Sequence, residues 1–173
     1  MKKIILIFCL IFSFLICSQV LAEDAAAKIL EFKEKILELQ NQGELGIKNL
    51  AACSKVNAFG SYVPLEGRKI KKGERLFVYL EPLNFFTKKT NGKYEIFLAE
   101  DIIILNEKGD IIAGKENAIV YNYASQSPVI DIFFTNVIDL KDIPPGRYTF
   151  RAILNDKLKN KTDFKSLFFE IID

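Results

Sequence analysis

The chain has 173 residues, half of them hydrophobic, with 24 Lys and Arg against 22 Asp and Glu and no His. This length suits one domain plus an extension, and the small net charge gives no general reason to expect nucleic acid or an anionic membrane surface as a partner. The lack of His excludes Ser-His-Asp and Cys-His catalysis as well as metal ligation by imidazole.

The first 22 residues have the pattern of a signal peptide. Two early lysines form a positive n-region, residues 4–17 are almost continuously apolar, and Val-Leu-Ala precedes a suitable cleavage point. We predict cleavage near Ala22, which places the mature chain outside the cytoplasm, in the periplasm or secreted. The alternatives are a lipid-modified Cys17 and an uncleaved anchor. For a chain cut near Ala22 we expect no membrane contact, whereas an uncleaved signal segment would supply one.

Cleavage would leave Cys53 as the single cysteine, so the fold would have no internal disulfide and would depend on its hydrophobic core. We interpret Cys53 as a small buried side chain, with an intermolecular disulfide or a reactive thiol as the alternative. There is no CxxC motif, thiolate zinc cluster or phosphate-binding glycine loop, so we predict no cofactor and no metal. Glu100, Asp101 and residues 106–110 supply oxygen atoms that calcium could use, but residues 106–110 are better explained as a hairpin turn.

Residues 23–40 are predicted to form an amphipathic helix, and residues 23–49 a helix with its linker. Four large apolar residues recur at 3-4-3 spacing along one side: Ile29, Phe32, Ile36 and Leu39. This apolar stripe packs on the rest of the chain, belongs to a loosely ordered spacer, or forms a partner-binding helix face. Two heptads are too few to predict a coiled coil.

Residues 50–173 are predicted to form a single β domain. Strands are expected at residues 50–65 (with a bend at Gly60), 75–86, 94–98, 101–105, 111–113, 129–137, 147–154 and 164–172, and residues 120–123 are ambiguous. Pro144-Pro145-Gly146 is predicted to be the turn that leads into a central strand. Short strands without intervening helical patterns predict an immunoglobulin-like antiparallel β-sandwich of about seven or eight strands.

Three segments together resemble a family of uncharacterised secreted bacterial proteins that have an immunoglobulin-like β-sandwich domain. They are CSKVNAFGSY at residues 53–62, KGE followed by VYLEPLNF within residues 72–85, and PGRYTF at residues 145–150. The resemblance implies the fold and a location outside the cytoplasm. It brings no catalytic residue with it.

Two functional hypotheses follow from this organisation. The first is a non-enzymatic binding or assembly module that contacts another envelope or extracellular protein. The alternative is a glycan-directed protein, either a carbohydrate-binding module or a carboxylate-based hydrolase. Tyr62, Tyr79 and Glu81 mark the possible ligand face, and Glu81 and Asp101 are the acids that adjoin apolar strands. No catalytic constellation is evident, so we predict that the protein is not an enzyme.

Overall fold

A computed structural model describes residues 24–173, which form one α-helix, a short 3-10 helix and ten strands. The helices are α1 (residues 24–42) and the 3-10 helix Glu66–Arg68. The strands are β1 (Gly46–Ala58), β2 (Ser61–Pro64), β3 (Lys69–Lys71), β4 (Arg75–Leu83), β5 (Lys88–Thr90), β6 (Lys93–Leu105), β7 (Ile111–Ser125), β8 (Phe134–Asp139), β9 (Gly146–Asp156) and β10 (Lys161–Ile172). The described chain is therefore mainly β, as predicted. The predicted signal peptide, residues 1–22, lies outside these residues.

The strands form two sheets that share one hydrophobic core. The first sheet has the order β2-β1-β4-β8, and the second runs β3-β10-β9-β6. Strand β7 pairs with the whole length of β6 on one side, while β9 and the short β5 share the other side. Inward-facing residues of both sheets form a single cluster, in which Val78, Leu98 and Phe150 are fully buried. Because burial of apolar area is the main stabilising contribution, this shared core holds the two sheets together.

The strand after the Pro-Pro-Gly turn lies in the middle of the second sheet, as predicted. Strand β9 pairs with β10 on one side and with β6 on the other. Tyr148, Phe150 and Leu154 point into the core at every second position. The hydroxyl of Tyr148 donates a hydrogen bond to the carbonyl oxygen of Pro144 at 2.7 Å, which ties the turn to the strand that it begins.

The predicted number of strands is too low, and the predicted antiparallel arrangement has one exception among the described strands. Strand β3 pairs in parallel with the end of β10, although the other pairings are antiparallel. The expected strand at residues 50–65 is a hairpin of β1 and β2, which turns at Gly60 with a φ of 66°. Strands of three or four residues are too short to show a periodic pattern, so β2, β3 and β5 could not be recognised in the sequence.

The expected strand at residues 129–137 is only partly formed. Residues 126–133 are irregular, and β8 begins at Phe134. Phe133 and Phe134 point in opposite directions: Phe134 enters the core, while Phe133 stacks on the outer face of the first sheet. The continuous apolar run therefore reflects two separate apolar environments and not one strand buried on both faces.

Helix α1 is held against residues 85–94 through its C-terminal half. The Gln40 amide donates to the carbonyl oxygen of Phe85 at 2.8 Å, and Asn41 exchanges two hydrogen bonds of 2.9 Å with the backbone of Thr87. Glu34 accepts hydrogen bonds from Lys89 and Tyr94, which hold the pKa of Glu34 below its usual range. No helix in the described part of the chain is long and apolar enough to cross a membrane.

Truncating Leu37 to alanine should lower the free energy of unfolding by about 2 kcal/mol, because a buried leucine loses its contacts and leaves a cavity. Leu37 is 5% exposed, whereas Leu39, two residues further on, is 69% exposed. Leu39→Ala is therefore the matched control and should change stability by less than about 0.5 kcal/mol. Urea unfolding of both variants measures the difference, and equal losses would mean that α1 does not pack through Leu37.

Candidate functional site

The candidate site is built on the outer face of β4, in the first sheet. Leu76, Val78 and Leu80 belong to the shared core, so the alternate residues Tyr79 and Glu81 point outward. An outward-facing polar residue is normally exposed, yet Tyr79 is fully buried and Glu81 is only 4% exposed. Other segments of the chain must therefore cover this part of the sheet.

Two aromatic rings cover Tyr79. Tyr62, from β2, stacks on it with ring centroids 4.4 Å apart, and Phe133 lies with its centroid 5.6 Å away. The left-handed turn at Gly60 returns the chain so that Tyr62 reaches this position, and the Gly60 N–H donates to the Tyr79 hydroxyl at 2.7 Å. The β1–β2 hairpin and the irregular segment before β8 thus both cover Tyr79.

Glu81 is the centre of a hydrogen-bond network beside these rings. One carboxylate oxygen accepts from the Tyr79 hydroxyl at 2.6 Å, and the other accepts from the Asn49 amide at 2.8 Å. The ammonium group of Lys48 lies 3.8 Å from that second oxygen. Burial and the neighbouring Glu81 raise the pKa of Tyr79 to about 12, so the phenol keeps its proton and remains a donor.

A groove of about 350 Å³ lies beside this network, between α1 and the end of the first sheet. We call it the α1 groove, and it is lined by Ile36, Leu39, Gln40, Lys48, Phe59, Glu81, Pro82, Leu83, Asn84, Ile130 and Asp131. Its wall combines six apolar residues with five polar or charged ones, and Glu81 and Lys48 lie together at one position. Two of the four residues of the predicted helix stripe therefore line the same groove as Glu81.

The predicted helix stripe faces solvent and does not pack on the sheets. Its members are all substantially exposed: Ile29 57%, Phe32 61%, Ile36 43% and Leu39 69%. The helix instead contacts the rest of the chain through Glu34, Leu37, Gln40 and Asn41, which combine one buried leucine with polar contacts. The four apolar residues consequently remain available to a partner.

The three residues predicted as a ligand face are brought together. Tyr62 stacks on Tyr79, and Tyr79 donates to Glu81. However, neither flat face of the Tyr79 ring can stack on a sugar, because the ring is fully buried beneath its neighbours. Of the two tyrosines, only the partly exposed Tyr62 offers surface to a ligand.

The acids singled out for glycoside hydrolysis do not form a pair. Glu81 is on the outer face of the first sheet, whereas Asp101 points outward from β6 in the second sheet and accepts from Asn117 N–H and the Asn155 amide. The two sheets therefore separate these carboxyl groups, and a catalytic pair would have to lie within roughly 10 Å. Nor do residues 24–173 contain a group of three or more His, Cys, Asp or Glu side chains that could hold a metal ion.

The remaining sequence interpretations can also be placed. Cys53 is buried, and this burial raises the pKa of its thiol, which disfavours the reactive thiolate. Residues 106–110 form the turn between β6 and β7, in which the Asn106 side-chain oxygen accepts from the N–H groups of Lys108 and Asp110. These contacts are those of the predicted hairpin turn.

The sequence interpretation missed one buried acid, Glu100. Its side chain points into the core between the sheets, is 0% exposed, and accepts one hydrogen bond of 2.8 Å from Asn136 of β8. Its second oxygen has no partner among the described residues. A signal was present in the sequence, because Glu100 continues the inward series of Ile96 and Leu98 at every second position.

No protein-family model and no curated protein matches the sequence. Among solved structures, the chain is similar to the alkylpurine DNA glycosylase AlkC of Pseudomonas fluorescens bound to DNA containing an abasic site analogue, with 15% identity, a TM-score of 0.42, and coverage of 76% of this chain and 31% of that one. It is also similar to a family 123 glycoside hydrolase from Clostridium perfringens, with 10% identity, a TM-score of 0.45, and coverage of 76% and 28%.

A third similarity is to β-glucosidase from Listeria innocua in complex with isofagomine, with 12% identity, a TM-score of 0.37, and coverage of 74% of this chain and 16% of that one. The chain thus spans less than a third of the length of each of these proteins. With TM-scores below 0.5, the similarities carry no assignment of activity to this chain. What the described residues define is a mainly β protein of two sheets with one helix that presents apolar side chains.

Proposed function

We propose that this chain is a non-enzymatic binding or assembly module outside the cytoplasm, in the cell envelope or secreted, and that it contacts another protein through α1 and the α1 groove. The observation that carries this proposal is the exposed apolar stripe of α1, which continues into the groove. Phe59 and Leu83, on the opposite side of the groove, are 43% and 41% exposed. A contiguous apolar surface with polar residues at its border is typical of a protein interaction site.

The way in which α1 is anchored supports a docking role over that of a spacer. Glu34, Gln40 and Asn41 bind side chains and backbone of residues 85–94, so the helix has a defined orientation. A surface that is already ordered loses less conformational entropy when a partner binds. The 3-4-3 spacing of the stripe suits packing against an amphipathic helix of the partner, because such spacing forms one ridge along a helix.

The finer fold class is part of the same proposal. We propose that the two sheets are an immunoglobulin-like sandwich. The hydrogen bond from Tyr148 to the carbonyl oxygen of Pro144 supports this class, since a tyrosine near the start of a strand that bonds back to upstream backbone is a feature of such domains. The inter-sheet core and the middle position of β9 are consistent with it.

Replacing Leu39 with aspartate should weaken partner capture at least about tenfold, because an apolar anchor at the centre of an interface commonly contributes that much. The test is a quantitative pull-down from envelope extract with the full chain. Val63→Asp is the matched control, since Val63 is also apolar and 49% exposed but lies on β2, away from the helix stripe. Equal capture by the wild type and Leu39→Asp, or loss in the control alone, would contradict the proposed role of α1.

The glycan-directed alternative predicts a different outcome. A carbohydrate-binding module would bind glycans through the exposed part of Tyr62 and would be insensitive to Leu39→Asp. A glycan array probed with the wild type and with Tyr62→Ala separates the two functions. Glycan binding that disappears in Tyr62→Ala, together with no protein captured by the wild type, would favour the alternative.

A further inference from the structure

Strand β7 is an unusually open edge of the second sheet. It pairs with β6 alone among the described strands, so one side of its backbone has no strand partner. Residues along its 15-residue length are exposed or partly exposed, including Ile111 at 63%, Val120 at 56% and Tyr123 at 44%. In an antiparallel edge strand, every second residue directs its N–H and C=O groups away from the sheet, ready to pair with another strand.

The two halves of β7 differ in how well this edge is protected. The first half carries Gly114, Lys115 and Glu116 and then a register shift, with Asn117 at a φ of 48°. A charged side chain and a bulge both discourage pairing with another strand. The second half, residues 119–125, has the sequence IVYNYAS, and its pairing with β6 is continuous. It contains no charge, no proline and no glycine.

The other outer strands do not offer such a segment. Strands β3 and β5 have three residues each, two of which are lysines in each strand; β2 has four residues and ends in Pro64; β8 has six and ends in Asp139. These are the devices by which proteins protect their sheet edges. Among these outer strands, residues 119–125 of β7 are the exception.

We propose that residues 119–125 pair with the same residues of a second copy of this chain, in an antiparallel arrangement with a twofold axis at Asn122. The segment is complementary to itself. The twofold axis places Val120 opposite Ala124, and Tyr121 opposite Tyr123, without any charged residue facing another. Within one chain, the rings of Tyr121 and Tyr123 already lie 5.6 Å apart, so the dimer joins two tyrosine pairs into one row.

The same symmetry limits the contact to this segment. Further along, the bulge residue Asn117 would face Ser127, and Glu116 would face Pro128, which has no N–H to donate. Pairing therefore ends on both sides of residues 119–125. Through this segment, the second sheet of one copy continues into the second sheet of the other copy. The proposal does not rely on α1 or its groove, so it can fail while the proposed function stands.

Analytical ultracentrifugation of the protein expressed from its full coding sequence, between roughly 1 and 300 µM, tests the dimer in the range expected of a small interface. The wild type should pass from monomer to dimer. Asn122→Lys should raise the dissociation constant at least about tenfold, because two lysines face each other at the twofold axis. Val137→Lys is the matched control on β8, where Val137 is 54% exposed, and it should leave association unchanged.

Cysteine cross-linking gives a second measurement that does not depend on affinity. Asn122→Cys should form a disulfide-linked dimer under mild oxidation, whereas Val137→Cys should not, and the buried Cys53 is common to both. A wild type that remains monomeric over the whole range overturns the proposal. So does a dimer that Val137→Lys weakens and Asn122→Lys leaves intact, or a monomer in which this edge binds an extended peptide of another protein instead.

Discussion

Replacing Glu100 with glutamine should stabilise the protein by about 3 kcal/mol more at about pH 8 than at about pH 4. Burial raises the pKa of Glu100 to about 7 from a usual 4.5, against the opposing effect of the Asn136 hydrogen bond. Below pH 4.5, the folded and unfolded states both hold the proton, and the acid imposes no pH-dependent penalty. Between pH 4.5 and 7, the unfolded chain releases the proton while the folded chain retains it, so stability falls as the pH rises.

Above pH 7 both states are ionised, and the penalty remains constant at about 3 kcal/mol, the cost of holding a carboxylate in the core. Glutamine cannot ionise, so it removes this part of the pH dependence while its carbonyl oxygen can still accept from Asn136. Urea unfolding of the wild type and of Glu100→Gln across this pH range measures the effect. Glu107→Gln, on the exposed turn before β7, is the control. Parallel stability profiles for the wild type and Glu100→Gln would show that ionisation of Glu100 does not destabilise the folded protein.

Local patterns predicted the elements that are long or begin with distinctive turns. The helix, the strand after Pro144-Pro145-Gly146 and the turn at residues 106–110 follow from periodicity and from the φ preferences of proline, glycine and asparagine. The alternation in β4 also identified Tyr79 and Glu81 as neighbours on one face, because residues two apart in a strand always share a face. These features depend on residues that are close in the sequence.

The features that sequence reasoning missed depend on distant residues. Phe133 covers Tyr79 from a segment more than 50 residues away, and Asn136 meets Glu100 from the opposite sheet. The helix shows the same limit, because its 3-4-3 pattern identified the apolar stripe but not whether that stripe packs on the sheets or faces solvent. Its contact with the sheets depends instead on one leucine and on hydrogen bonds from Gln40 and Asn41, whose partners a helical pattern cannot reveal.

Truncating Glu81 to alanine should lower the free energy of unfolding by about 3 kcal/mol, the second large effect that we expect. The variant leaves the Tyr79 hydroxyl and the Asn49 amide without their acceptor, and Tyr79 is fully buried. An unsatisfied buried donor costs about 1–3 kcal/mol. Tyr79→Phe should cost about 1 kcal/mol, because two hydrogen bonds are lost. Glu81 loses the Tyr79 hydroxyl as a donor, and the Gly60 N–H loses it as an acceptor.

The double variant tests whether these losses share one cause. In Tyr79→Phe with Glu81→Ala, the stranded hydroxyl no longer exists, so the total loss should be smaller than the sum of the single losses by about 1 kcal/mol or more. Additive losses in urea unfolding would show that the two groups act independently. Partner capture supplies the complementary readout. Because Tyr79 is fully buried and Leu39 is 69% exposed, Tyr79→Phe should reduce stability and retain capture, whereas Leu39→Asp should retain stability and lose capture. That opposite pattern would separate the network that holds this face together from the apolar surface that contacts the partner.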